Sequence, residues 1–419
     1  MIGVDRPTAS RCMIVATLLA LAGGCQPWRA DHEATYADDG WSTWEIHLLA
    51  ACEELLRNPA SRDDLLLALD RSLAWLADDA RSATFFDSET ERIATHAATR
   101  CFRNLIAAAT DAAWLARRVR ENFLPPVAAR AGGSSGDDAL FTAYYAAAFE
   151  GVATRTPGYD WPLYAPPPDL ARDERTGEVI GRRVGDRIEP LPTREMIERE
   201  GLYAGMEVGW LRDPFDAYVA HVNGSVRLRG PDGATIHLAH AGTNGRPYTS
   251  IGRQLIESGV LPSHGVSLQA IRAFFDAHPD QLHPFAWRNQ RYVFFEAIPE
   301  AEWPRSGLGI TLVEGRSVAT DKRVYPPGGP MLVRFQRVAV APPGDGSSAG
   351  PSAFLDDPEM QARFVVDHDR GGAILGPNRI DLYAGAGDVA GDRAGRFTAG
   401  GFIAPLIRRT AMIEATPPR

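Results

Sequence analysis

Between Val366 and Gly391 the chain reads VDHDRGGAILGPNRIDLYAGAGDVAG, where Asp367, Asp369, Asp381 and Asp388 interrupt an otherwise apolar, glycine-rich run. Carboxylates among apolar neighbours suit acid catalysis. Asp381 stands between Ile380 and Leu382, and burial there would disfavour its charged form and keep a proton on it near neutral pH. A second carboxylate close by would act in the same sense. Asp369, followed closely by Gly371 and Gly372, can return beside it through a tight loop. The same residues also read as turn aspartates at strand ends, and on these residues alone both readings stand.

Other motifs carry less. Gly385-Ala-Gly387-Asp-Val-Ala390 matches a dinucleotide fingerprint letter by letter, but that motif must follow a strand and open a helix within a βαβ unit. Gly391 and Gly395 are expected to break such a helix, so no nucleotide site is expected. His237 and His240 would face opposite sides of one strand, which argues against a shared metal. Gly224-Ser225-Val226 lacks the full nucleophile elbow, and no Ser/His/Asp set stands out. Of the 44 basic residues only Lys322 is a lysine. It follows Asp321, so a phosphate loop is excluded and Schiff-base chemistry has one candidate. A net charge of −9 also argues against nonspecific nucleic-acid binding.

The elements that must position these groups follow from composition and period. With 45% hydrophobic and 23% charged residues, 419 residues make an ordinary globular chain of two or three domains. Arg6 and Arg11, then an apolar run from Met13 to Leu21, then Ala22-Gly23-Gly24-Cys25, read as a targeting segment too short to span a bilayer permanently. Small residues before a cysteine resemble a bacterial lipoprotein box, making Cys25 a lipidated first residue; plain secretory cleavage is the alternative. Gln26 after the cysteine resembles sorting to the outer membrane.

From Trp44 to Phe123 the hydrophobic period is helical and predicts three helices. Their stripes are Leu48, Cys52, Leu55 and Leu56; then Leu65, Leu69, Leu73 and Leu76; then Ile93, Ala97, Cys101, Leu105, Ala108, Ala112 and Leu115. Ser61 is expected to cap the second helix, and Pro125 and Pro126 to stop the third. Cys52 and Cys101 are either small core residues or a disulfide. After the loop Ala131 to Asp138 the pattern turns to short β-rich runs. Strands are expected at Tyr218 to Arg229, Thr235 to His240, Tyr292 to Ala297, Met331 to Val340, Arg363 to Asp367 and Phe402 to Ile407. Helices are expected near Ile251 to Ser258 and Ser267 to Ala277. Pro342 to Pro351 reads as a surface insertion.

The segment from Asp369 to Gly387, DRGGAILGPNRIDLYAGAG, resembles the signature of the membrane-bound lytic murein transglycosylase A family. Further blocks agree in order: FTAYY from Phe141, Tyr164 in a Pro-Leu-Tyr run, LPTREMI from Leu191, Asn223-Gly-Ser225, AGTNGRPYTSIGR from Ala241, NQRYVFF from Asn289 and GRSVATD from Gly315. The resemblance runs from Phe141 to Gly391. It implies an α+β protein, mainly β with N-terminal helices. A double-psi β-barrel catalytic domain would carry an inserted second β-domain, with a glycan groove between them. The implied division is 1–25 signal segment, 26–145 helices and start of the catalytic domain, 146–297 insert, and 298–419 remainder of the barrel.

The implied activity is cleavage of the β-1,4 bond between N-acetylmuramic acid and N-acetylglucosamine, leaving a 1,6-anhydro end. An ordinary glycosidase needs two carboxylates. Here the sugar's own C6 hydroxyl attacks, its intramolecular position replacing an activated water, and one acid suffices. By position in the motif Asp381 would be that acid and Asp369 its support. Thr142, Tyr144, Asn223, Gly224, Ser225, Asn244, Tyr248, Arg253, Gly371 and Gly372 would meet the neutral sugar chain. Peptidoglycan glycan strands and the outer membrane, through Cys25, would be the partners of a monomer, with no cofactor, metal or nucleic acid. The chain departs from the family pattern at Ala146, Ala147 and Val226, which affects the groove. A hydrolase on the same barrel, using Asp369 or Asp388 to activate water, and a noncatalytic wall-binding module are the alternatives.

Overall fold

The computed structural model describes residues 40–124, 138–173, 179–262, 268–337, 353–357 and 359–409. The targeting segment with Cys25, Pro125 and Pro126, nearly all of the Ala131–Asp138 loop, Ser267, the last three residues of the Met331–Val340 run and the Pro342–Pro351 insertion lie outside them. Helices open the described chain: α1 (Gly40–Arg57), α2 (Pro59–Leu76), a single turn α3 (Asp79–Ser82), α4 (Glu89–Ala108) and α5 (Ala112–Asn122). The expected third helix is thus two, because Asp111 caps a new start by accepting from the Trp114 N–H at 2.8 Å. The cap of α2 is Asn58, which accepts from the Ala60 N–H at 3.0 Å ahead of Pro59, and not Ser61. Ser61 lies inside the helix and donates to Glu54 Oε1 at 2.7 Å.

The stripe read for α4 is also rotated. Ile93 is 56% exposed, while Thr95, Ala98, Thr99, Phe102 and Ile106 are buried. Thr95 and Thr99 can go inside because their hydroxyls donate to the Glu91 and Thr95 carbonyls at 2.9 and 2.8 Å. Cys52 and Cys101 are free thiols, the first buried.

Fourteen strands follow among the described residues, beginning with the longest, β1 (Ala139–Val152). β2 (Trp161–Tyr164), β3 (Leu170–Arg172), β4 (Val179–Val184), β5 (Arg187–Glu189), α6 (Arg194–Glu200) and β6 (Glu207–Leu211) come next. Then come α7 (Pro214–Asn223), β7 (Ser225–Arg229), β8 (Thr235–Thr243), α8 (Ile251–Glu257), α9 (Leu268–Ala277), α10 (Leu282–Ala286) and β9 (Val293–Ile298). The chain closes with β10 (Ser317–Ala319), β11 (Pro330–Arg337), β12 (Gln361–Asp369), β13 (Arg379–Ala386), α11 (Asp388–Arg396) and β14 (Thr398–Pro405).

The expected strand from Tyr218 to Arg229 begins instead as α7. Asp213 caps it through the Asp216 N–H at 2.8 Å, Pro214 opens it, and Gly224 at φ 72° turns the chain into β7.

Pairing in the order β1, β13, β10, β12, β11, β14 and back to β1 closes a six-stranded ring. Phe141, Val333, Phe335, Val365, Ile380 and Leu382 pack together in its core. Leu332, Phe364 and Val366, alternate residues of β11 and β12, instead pack on Leu48, Leu69 and Phe102 of the helices. Burial on both faces explains the apolar runs Met331–Leu332–Val333 and Phe364–Val365–Val366 at the centre of these strands. Beyond a register shift between Tyr144 and Ala146, β1 leaves the ring and pairs with β7, which continues into β8 and β9. One strand therefore belongs to both sheets.

The Gly385–Ala390 motif does follow a strand and open a helix, against the expectation that Gly391 would break it. Gly391 is buried where a Cβ would come within 3.0 Å of the Tyr145 ring. The βαβ context is still missing, because β13 is parallel to β1 while β14, after the helix, is antiparallel to β1.

Candidate active site

Backbone register sets the candidate residues in one row. Thr142 on β1 pairs with Asp381 on β13, Asp381 with Ala319 on β10, and Ala319 with Asp369 on β12. At about 4.8 Å per strand step, the two aspartate Cα atoms stand on the order of 10 Å apart across the short β10. A register shift between Val318 and Ala319 puts Asp369, rather than His368, in the row. His368 is buried between the Ser72 and Ser317 hydroxyls, at 3.1 and 2.7 Å. Burial lowers its pKa to about 3, so it is a neutral part of the core.

Asp381 is half-buried, and its open side faces a cavity of about 690 Å³. Burial raises its pKa to about 6, and the negative charge of Asp369 adds to this. The Thr142 hydroxyl, donating to Oδ1 at 2.7 Å, and the nearby Arg379 charge act the other way without cancelling it. Arg379 in turn donates to Thr142 Oγ1 at 3.0 Å. Such a group holds its proton in weakly acid solution and releases it near neutrality.

Asp369 accepts from the Gly307 and Arg370 N–H groups, both at 2.8 Å. Burial still raises its pKa, although these donors favour the charged form. Tyr144 is half-buried beside it, and its hydroxyl proton is held more tightly by burial and by the Asp369 charge. Its ring lies 5.4 Å from that of Tyr383.

The chain's one lysine lines the same cavity. Lys322 forms an ion pair with buried Asp367 and donates to Thr320 Oγ1 at 3.1 Å, while Thr320 donates to Asp367 Oδ2 at 2.7 Å. Burial lowers the pKa of Lys322 and raises that of Asp367 to about 6.

The cavity brings together most of the residues named from sequence. Asp369, Asp381, Gly371 and Gly372 line it from the ring, and Tyr144 from the shared strand. Asn223, Gly224, Ser225 and Tyr248 line it from the second sheet and its helices. Three residues expected to meet the sugar chain are outside the lining. Thr142 is one, its hydroxyl donating to Asp381 Oδ1. Asn244 is 2% exposed and its amide is committed to the fold, donating to Pro192 O at 2.9 Å and Gln290 O at 2.8 Å while accepting from the Tyr292 N–H at 2.8 Å. Arg253 lies exposed in the first turn of α8, outside the cavity lining.

Sequence reasoning missed Lys322, Tyr383 and a set of arginines that line the cavity, among them Arg172, Arg291 and Arg370. Lys322 had one signal, its uniqueness. Among the described residues no helix is long and apolar enough to cross a membrane.

Comparison with known proteins agrees with this architecture. Residues 140–296 match the family described as MltA specific insert domain, and residues 316–404 match the 3D domain. Membrane-bound lytic murein transglycosylase A of Escherichia coli K12 is 29% identical over 258 residues, 61% of this chain and 62% of that protein. The protein of the same name from Vibrio cholerae is 33% identical over 210 residues, 49% of this chain and 53% of that one. The matched stretch is therefore less than two thirds of either relative.

The crystal structure of a membrane-bound lytic murein transglycosylase from Agrobacterium tumefaciens superposes with a TM-score of 0.66 at 26% identity, covering 82% of this chain and 92% of that one. Escherichia coli MltA with bound chitohexaose shares the fold, with a TM-score of 0.61 at 22% identity over 82% of this chain and 90% of that one. With both matched domains in order on one mixed helix-and-sheet scaffold, this chain is MltA-like.

Proposed function

We propose that the chain is a lytic transglycosylase, cleaving the β-1,4 bond between N-acetylmuramic acid and N-acetylglucosamine of peptidoglycan and leaving a 1,6-anhydro end. The observation that carries this reading is Asp381, a carboxyl with its pKa raised to about 6, facing the cavity from a strand paired on both sides. The names of the relatives support the substrate.

In this mechanism protonated Asp381 donates to the glycosidic oxygen as the bond to C1 breaks. The C6 hydroxyl oxygen of the same sugar bonds to C1, and ionised Asp381 takes the hydroxyl proton, so the acid is regenerated without water. Asp369, fixed by two backbone N–H groups, supports the proton on Asp381 by its charge. Thr142 orients the carboxyl. Tyr144, Asn223, Gly224, Ser225, Tyr248, Gly371 and Gly372 meet the sugars, while Asn244 and Arg253 act from outside the cavity, the first by fixing its wall.

The six-stranded ring is read as a double-psi β-barrel, with residues 146–297 as the inserted unit and residues 298–419 completing the ring. A lipid anchor at Cys25 on the periplasmic side of the outer membrane belongs to the same proposal. Its supports are the leader composition and the words "membrane-bound" in the relatives' names.

Digestion of purified sacculi tests the activity. Wild type should release products with anhydro ends, one water lighter by mass than hydrolysis products, and Asp381→Asn should lower the rate roughly a thousandfold while still binding glycan. Products one water heavier would instead identify a hydrolase, and an active Asn variant would reject Asp381 as the acid.

A further inference from the structure

The proposed reaction gives no part to the ion pair between Lys322 and Asp367, although it borders the cavity. Lys322 lines the cavity with Thr320, Asp369 and Asp381, and its partner Asp367 is fully buried. An ion pair so placed is a poor source of stability, since apolar residues of similar volume often serve as well or better. Two strands nevertheless build its position. Along β12, His368 faces the Ser72 and Ser317 hydroxyls, so Asp367 and Asp369 on either side of it project from the opposite face. β10 pairs Val318 with Asp367 and Ala319 with Asp369, and just beyond it the Thr320 N–H donates to the Asp369 carbonyl at 3.3 Å. Asp321 then fixes the turn that carries Lys322. Its carboxylate accepts from the Arg323 N–H at 3.0 Å and from the Gly376 N–H at 2.7 Å.

This one ammonium stands among three carboxylates. Its charge acts on Asp367 and on Asp369, and the Asp369 charge acts in turn on Asp381. Burial raises the Asp369 pKa, and the Gly307 and Arg370 N–H groups, the Tyr144 hydroxyl and the Lys322 charge oppose it. Tyr144 on β1 and Tyr383 on β13 face Asp369 and hold their own protons more tightly, chiefly through burial. Thr142 and Arg379 act on Asp381, Tyr325 faces Asp367, and His368 is neutral. Arg370 acts on Lys322 and lies across Phe85, 5.1 Å from the ring centre.

We infer that Lys322 is a positioning residue for the proposed reaction: its ammonium keeps Asp369 ionised, so that the proton stays on Asp381, and Asp367 sets how much of that charge Asp369 receives. The inference rests on the catalytic reading of Asp381. Once Asp369 takes a proton, its charge no longer holds the proton on Asp381, and activity falls on the acid side of the pH profile.

The pH profile of sacculus digestion by the full chain tests this. In Asp367→Asn the ammonium serves Asp369 alone, and the acid limb should move to lower pH by roughly one unit. Adding Lys322→Met to that variant should carry the limb back up by at least as much. Thr320→Val takes one hydrogen bond from Asp367 and strands no buried ion. It should move the limb in the same direction as Asp367→Asn by a smaller step, a reading that stands even if Asp367→Asn does not fold. A limb that stays in place or moves to higher pH in these variants, or that ignores the added Lys322→Met, overturns the inference. A purely structural pair would lower rate or stability without moving the limb in opposite directions.

Urea denaturation at pH 7, with and without Asp369→Asn, reads the same charge apart from catalysis. The amide keeps an oxygen for the Gly307 and Arg370 N–H groups, so the stability gained measures the cost of the ionised carboxyl. That gain should shrink when Asp367→Asn is present and grow again when Lys322→Met is added. This pattern without anhydro ends from sacculi supports the charge link and overturns the catalytic reading. Anhydro ends with an unchanging gain overturn only the inference about Lys322.

Discussion

Asp381 is held by opposing influences whose removal has opposite effects. The Thr142 hydroxyl donates to the ionised carboxylate, so Thr142→Val should raise the carboxyl pKa above about 6 and move the alkaline limb of the kcat/KM profile to higher pH. A limb that stays in place would assign the pH dependence to another group.

Keeping a carboxyl in a site that prefers it neutral also costs stability. Its folded pKa, about 6, lies above the ordinary aspartate value, so the cost is fully present above that pH and fades as pH falls toward 4. Asp381→Asn should therefore be more stable than wild type in urea at pH 7, with the difference shrinking at pH 4.5. At this scale the two carboxylates were legible because acidic residues in an apolar, glycine-rich run are unusual. Lys322 was not, since a count cannot tell that the lone lysine pairs with buried Asp367 at the cavity wall. Asn244 was misplaced because a sequence does not say whether an amide is spent on backbone carbonyls or offered to a ligand.

Among the elements, α1 is fastened to the ring by charge as well as by packing. Glu54 lies against two buried guanidiniums, Arg316 at 3.1 Å and Arg363 at 2.9 Å, whose side chains are 1% and 8% exposed. Burial alone would raise the Glu54 pKa, but Arg363 and Arg316 together bring it below the ordinary value. Glu54→Gln takes the nearer counter-charge from two buried cations, leaving them Asp64, and should cost about 3 kcal/mol in urea denaturation. A loss under about 1 kcal/mol would mean that solvent already screens the group.

None of this could be read from periodicity. The helical period was plain from Trp44 onward, but the face of α4 was misjudged because buried threonines score as polar. α7 was misread as strand because its run of Tyr218, Val219 and Val222 outweighed the Asp213-Pro214 start. The helix α11 was dismissed on its glycines, although Gly391 is small for a reason, the Tyr145 ring packed against it.

For the whole molecule, closure of the ring is the property least visible in sequence. β1 pairs with β13 and β14, which lie more than 200 residues away, and local patterns carry no information on such partners. A fragment of residues 298–409 lacks that strand and should stay unfolded by circular dichroism, whereas residues 40–409 should unfold in urea in one transition by every probe. A folded fragment would mean that the ring tolerates the gap.

Because β1 runs from the ring into the second sheet, both walls of the cleft are mounted on a common strand of 14 residues. Where that strand changes partners its register slips between Tyr144 and Ala146. On the catalytic reading, whatever spreads or closes the walls around a polymer tied into a meshwork must flex this stretch, and the grip on the polymer is then set by how stiffly a few backbone units resist bending.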